Sequence, residues 1–246
     1  MTPAELIPII REAYLDDVTD IADQDGLEFE DSVAFSTSWL LREIGTAQRQ
    51  ACYRQDLRHL YDASTPAICA IALQTGVADY ALDPRILRLQ EVRHGVSVLE
   101  HTTQALLERG LPTWRTTTPA RPRAFFVTAR TLTLWPTPGA SEAGDTLSLS
   151  VWREPLADPG MHDDLEWTQE PEQLAYWVAF RAFARPGQVI TDHQQALQYR
   201  AMFDQAFGTE VKAKARAELL AYPNHLSFAP EVYRATRRAC TFETED

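Results

Sequence analysis

Several short stretches carry side chains able to do chemistry. His162, Asp163 and Asp164 stand in a row, and adjacent carboxylates beside an imidazole suit a Mg²⁺ ion and the hydrolysis it supports. Thr191-Asp192-His193 sets a base next to a carboxylate able to orient it. Glu210 and Lys212 form a Glu-x-Lys triplet of the kind nucleases place on a strand, and Cys52 offers a thiol. Trp177, Phe180, Phe183, Phe203 and Phe207 have the bulk to line a ligand pocket.

Each of these has a plainer reading in its surroundings. The His-Asp-Asp run lies in the polar stretch ADPGMHDDLEWTQEPEQ, which leads into a helix begun at Pro171. Asp192 reads as a helix cap with acidic character at the positive end. Glu210 and Lys212 fall inside a helical period, where the strand geometry of a nuclease triplet is absent. Cys52 sits on a helix with no basic patch and no matching histidine, as a small core residue does. The aromatic stripe has the spacing of a helix-bundle core. The six histidines (59, 94, 101, 162, 193 and 225) are dispersed, and the chain contains no P-loop, GxGxxG, GxSxG or HExxH motif. Two functional alternatives stay open on residues alone. One is a metal-dependent hydrolase using Asp163 and Asp164. The other is a soluble ligand-binding module with its pocket where helices meet strands.

The elements that must position these groups are bounded by the totals. A chain of 246 residues, 45% hydrophobic and 24% charged, can bury a full core. No apolar run approaches the roughly 20 residues of a membrane span, and MTPAELIPIIREAYLDD lacks the basic start and small-residue cleavage site of a secretory signal. Three scattered cysteines (52, 69 and 240) with no CxxC pair predict a reduced compartment without structural disulfides. A net charge of −12 argues against a protein that grips nucleic acid, although an acidic wall suits a duplex that slides past.

Helix signals dominate both ends. Thr2 as cap and Pro3 at the first position predict a helix from about Ala4 to Val18, with Pro8 giving a small bend. Leu40, Ile44, Ala47 and Ala51 recur at helical spacing after Ser36 or Ser38, a second helix of about five turns. LAYWVAFRAFA, from Leu174, is apolar nearly all round and predicts a buried central helix, broken at 185–188. Thr191 or Asp192 then caps a long helix to about Ala221, bent at Gly208.

Between about Ala67 and Val151 the period falls to two. AICAIALQ, DYALDPRILRLQEVRH, VSVLEH, RAFFVTARTLTLW and TLSLSVW all read as strands, with a short helix between Thr102 and Gly110. TLTLWPTPGASEAGDTLSLSV, 131–151, reads as a β-hairpin: leucines alternate with polar residues on both sides of a turn rich in Pro and Gly. The predicted fold is therefore α+β. An antiparallel bundle of about four helices (1–65 and 160–221) carries an inserted small antiparallel β domain (66–159) and an extended C-terminal arm (222–246). On that arm Phe228, Val232, Tyr233, Arg234, Arg237 and Arg238 have the character of docking anchors.

The layout from about residue 5 to 225 resembles the head–tail connector, or adaptor, proteins of tailed bacteriophages. The resemblance lies in LREIGTAQRQACYRQ, similar to a family N-E-A-Q-R-E-A run, and in DYALDPRILRLQEVR, similar to a Y-x-L-D-x-x-I-x-x-I-x-x-V strand pair. It continues through LTLWPTP, LAYWVAFRAF and ALQYRAMFDQAFG. Such a resemblance implies a structural virion protein, assembled in the host cytoplasm, with no catalysis and no cofactor. Twelve copies would form a ring between the portal protein and tail or nozzle components, with genomic DNA passing through unbound. The arm would reach the portal. The sheet would be an attachment platform, offering Thr131, Thr133, Ser148 and Ser150 on its wet face.

Overall fold

The computed structural model describes residues 1–15, 35–54, 60–185 and 191–221. In chain order the helical elements begin with α1 (Pro3–Ile9), continued by a π-helical segment Ile10–Leu15, and α2 (Thr37–Cys52). Next come β1 (Tyr61–Asp62), α3 (Pro66–Cys69), β2 (Ala70–Ala72), β3 (Asp79–Ala81), β4 (Ile86–His94), β5 (Ser97–Val98) and β6 (Glu100–His101). The chain continues through α4 (Gln104–Gly110), β7 (Ala124–Thr128), β8 (Thr131–Trp135) and β9 (Thr146–Arg153). It closes with α5 (Leu174–Phe183), α6 (His193–Phe207) and α7 (Ala213–Ala221). The fold is α+β. It divides into two units: Met1–Tyr61 with Trp152–Val211, and Asp62–Val151 with Lys212–Asp246.

In the first, helical unit, local chemistry starts each helix. The Glu5 carboxylate accepts from Thr2 N at 2.8 Å, Ser36 Oγ accepts from Trp39 N at 3.3 Å, and Asp192 Oδ1 accepts from Gln194 N and Gln195 N. Leu40, Ile44, Ala47 and Ala51 are fully buried, as their spacing predicts, and so are Leu174, Ala175, Val178, Ala179 and Ala182 of α5. These residues share one core with Leu6, Ile10, Phe35, Phe203 and Phe207. Trp177 meets Phe203 at 5.3 Å between centroids, and Phe203 meets Phe207 at 4.5 Å, so the aromatic stripe is core packing.

Two helices depart from expectation. Pro8 supplies no amide to the ladder, and after it the first helix winds as π rather than bending. Its expected continuation to Val18 lies outside the described residues, as do the end of the second helix beyond Arg54, the break at 186–190 and the arm at 222–246. The long helix expected to reach Ala221 ends at Phe207. Gly208 takes φ +85°, a left-handed conformation that halts the helix, and the chain runs extended to Val211, whose N–H donates to Tyr53 O at 3.0 Å. The next helix, α7, groups with the strands rather than with the helices.

Arg54 bridges the two sides of that stop. Its side chain is 1% exposed, with Nη1 at 3.2 Å from Asp204 Oδ1 and 3.9 Å from Glu210 Oε2, and its guanidinium lies 5.3 Å from the Phe203 ring centre. Residues 54 and 210 also form an isolated β-bridge. Burial lowers the Arg54 pKa, and the two carboxylates oppose that shift.

In the second unit the strands form two sheets, ordered β1-β9-β4-β5 with β2 on β9, and β3-β8-β7-β6. The expected antiparallel domain is mixed, because β6 runs parallel to β7 (Glu100↔Ala124, His101↔Phe125). The expected hairpin at 131–151 does not exist. Its two strands lie in different sheets, β8 between β3 and β7, and β9 with β1, β2 and β4. The reason is visible in the connection, which bonds outward rather than across itself. Ala120 N donates to Thr137 O, Gly76 N to Pro138 O, and Gly144 N to Leu73 O. The strand expected from Ala67 begins as α3 instead, because Asp62 accepts from Ser64 N and Thr65 N and turns the chain into Pro66.

The real hairpin is β7–β8. Its two-residue turn, Ala129-Arg130, has φ +47° and +67°, the primed geometry that Asn-Gly normally supplies. Arg130 Nη2 donates to the carbonyls of Asp83, Pro84 and Ile86 at 2.9, 2.5 and 2.8 Å, and this holds the strained turn in place. Arg85, bonded to Asp83 through Nε and Nη2, keeps the Asp83 carboxyl below the usual carboxylate range.

These contacts set two expectations for stability. Arg54→Ala strands two carboxylates and opens a void, so denaturant unfolding should show a loss of about 3 kcal/mol. Ala129→Asn relieves left-handed strain without touching Arg130 and should raise stability by about 0.5–1 kcal/mol in the same assay.

Candidate functional site

The residues able to do chemistry do not converge. His162, Asp163 and Asp164 are all exposed on one loop, and Asp163 Oδ2 is engaged locally, accepting from Gly160 N at 2.9 Å. The loop is stitched to the start of the chain by Ala4 N→Met161 O (2.9 Å) and Leu165 N→Met1 O (3.0 Å). Among the described residues no group of three or more His, Cys, Asp or Glu is placed to hold a metal ion. Asp192 is spent on its cap, with His193 exposed beside it. Glu210 belongs to the Arg54 cluster, and Lys212 is exposed after it.

Cys52 is buried in the helical unit. Burial pushes its thiol well up, with Glu154 and Glu166 adding to the effect, so it is held as the unreactive thiol. Cys69 is buried as well. No described helix is long and apolar enough to cross a membrane.

The expected platform residues separate. Thr131 and Thr133 are on β8, Ser148 and Ser150 on β9, so the four belong to two sheets and share no face. Ser148 is exposed, and Thr131 and Ser150 are half-buried. Thr133 is buried, with 8% of its surface exposed, and its hydroxyl donates to Asp79 Oδ1 at 2.6 Å across the β3–β8 pair. Alternation identified the two faces of the strand but not the cross-strand partner that meets Thr133. Phe228, Val232, Tyr233, Arg234, Arg237 and Arg238 lie outside the described residues.

Sequence reasoning missed two polar centres of the sheet unit. At one, His94, nearly buried, shares a 2.9 Å hydrogen bond between Nε2 and Asp145 Oδ2 and lines a cavity of about 330 Å³ with Arg121, Glu142 and Thr146. The Glu142 carboxylate is itself buried and accepts from Gly139 N at 3.0 Å. At the other, His101 Nε2 meets the carbonyl of Ala221, the last described residue of α7, at 3.1 Å, with its ring 5.2 Å from that of Phe125. His101 therefore ties the end of α7 to the strands. Nothing local signals either pairing, since the partners lie 51 and 120 residues away.

Burial lowers the His101 pKa below its ordinary 6.5 and favours the neutral ring that donates to Ala221. A depressed folded-state pKa gives stability that is present above about pH 6.5 and is lost as pH falls. Unfolding measured at pH 7.5 and 5.5 should show a larger acid loss for the native chain than for His101→Gln, whose amide donates without titrating.

A family model described as SU10 adaptor protein matches residues 1–226 of the chain. The curated proteins yield no significant match.

Proposed function

The chain belongs to the SU10 adaptor protein family, and from that premise we propose that it forms a ring joining the portal vertex of a phage head to its tail. The family is one of phage structural adaptors, and the match runs through both units in order rather than through a single motif. That extent is the observation that carries the reading. A catalytic reading has no comparable support, because Asp163 and Asp164 are solvated loop residues and no group of three or more His, Cys, Asp or Glu among the described residues is placed to hold a metal ion.

In this reading the chain has four kinds of neighbour: the portal protein, tail or nozzle components, copies of itself in a ring of twelve, and the genome in transit. Its place is the virion, after assembly in the host cytoplasm. A closed ring uses heterologous contacts, one face of each copy against a different face of the next. The arm at 222–246, with Phe228, Tyr233 and its three arginines, suits docking on the portal. The exposed strand residues, Ser148 foremost and Thr133 excluded, suit polar contact with the tail. A net charge of −12 suits passage of a duplex without adhesion.

Three measurements check this. Electron microscopy of the protein mixed with its portal should show a closed ring seated on the portal, and an absent ring would remove the proposal. Deleting residues 222–246 should abolish portal attachment while leaving the folded units intact by circular dichroism. Titration with duplex DNA at low salt should show no tight binding; salt-sensitive binding would overturn the passive channel.

A further inference from the structure

The sheet unit exposes two valines at one place. Gly95-Val96 joins β4 to β5, with Gly95 at φ +59° and open space where a side chain would stand. Val96 is 94% exposed and Val98 55%. β5 ends its sheet and pairs only through Ser97 and Val98, so the outer backbone edge at the tip has no strand partner within that sheet. Apolar side chains on an open edge are a feature that folded chains usually cover.

Positive charge flanks the tip. The exposed Arg121 donates through Nη2 to His94 O (3.3 Å) and Ser97 Oγ (3.1 Å), which holds a guanidinium against the turn. Arg123, also exposed, follows two residues later, and among the described residues neither forms an ion pair with a carboxylate. Nearby, Arg93 is paired with Glu91, His94 hydrogen-bonds Asp145, and Glu142 lines the same cavity as Arg121.

The charge of the chain is unevenly divided. Asp62–Val151 holds eight acidic residues and eight arginines, so it is neutral. Met1–Tyr61 and Trp152–Val211 together hold 22 acidic and nine basic residues, a net of −13, and the described residues among them hold 13 acidic and eight basic, a net of −5. One chain thus offers an arginine-flanked apolar knob and, on a different unit, an excess of acidic residues.

We propose that the hairpin tip Gly95–Val98, with Arg121 and Arg123, docks on the acidic helical unit of a second copy of this chain. The inference rests on the ring reading above and supplies the contact that reading leaves open. A heterologous interface needs two unlike, complementary faces on one chain, and these two differ in charge as required. The valines give the contact its dry centre and the arginines its orientation.

The test places p-benzoylphenylalanine at position 96 of the full chain, assembled with its portal, and irradiates it. The expected product has the mass of two copies, with the cross-linked peptide drawn from residues 1–61 or 152–211 of the other copy. A product with any other protein, or none, overturns the proposal. Val96→Asp with Arg123→Glu provides the second measurement, and its melting should match the native chain because both side chains are exposed. Ring occupancy on portals should fall at least tenfold. Native occupancy in the variant overturns the hairpin contact and leaves the ring reading standing, whereas failure of the native chain to form rings overturns both.

Discussion

The helical unit depends on hiding α5. Leu174, Ala175, Val178, Ala179 and Ala182 have no exposed surface, so this helix must be covered on several sides at once. The cover comes from opposite ends of the chain: Leu6, Ile10, Leu40 and Ile44 before the strands, Phe203 and Phe207 after them. The segment Asp62–Val151 in between must therefore leave the helical unit and return to it. Exit and entry are tied side by side, Arg153 N donating to Leu60 O at 2.9 Å and Tyr53 Oη to Glu154 Oε1 at 2.6 Å. One hydrophobic demand thus dictates the interrupted order of the chain. Arg54, buried one residue after Tyr53, pairs with Asp204 near the end of α6.

How much of this is legible in the residues depends on how far each cause reaches along the chain. Ser36, Asp192 and the Leu40–Ile44–Ala47–Ala51 stripe act within one or two helical turns, and those helices start where expected. The stretch 131–151 fails for a physical reason. Alternation reports which side chains share a face, whereas sheet membership is decided by hydrogen bonds that the connecting residues make to Leu73, Gly76 and Ala120. Thr133 fails with it, because Asp79 rather than solvent meets its hydroxyl. The Arg54, His94 and His101 pairings span 51 to 156 residues, a range at which no local period carries information.

Of the 23 basic residues only Lys212 and Lys214 are lysines, and neither lies between Asp62 and Val151. The preference has a structural logic. Arg130 serves three carbonyls from one nitrogen, Arg121 spans a carbonyl and a hydroxyl, and Arg85 grips Asp83 through two nitrogens. At Arg85 the planar fork sets two donors on one carboxylate in a fixed geometry, where an ammonium ion offers a single nitrogen and hydrates more strongly. The sheet unit uses arginine as a fastener for its turns. Arg121, exposed at the hairpin tip, does this while presenting its charge outward.

The acidity of the helical unit then constrains how copies can meet. Any symmetric contact that set two helical units face to face would bring a net negative unit against another. Like charges within the Debye length of about 8 Å at physiological salt oppose such a contact. A neutral, arginine-fastened sheet unit suffers no such penalty against the same acidic unit. Electrostatics therefore disfavour the isologous pair, the commonest way for two copies to associate, and spare the head-to-tail arrangement that closes into a ring.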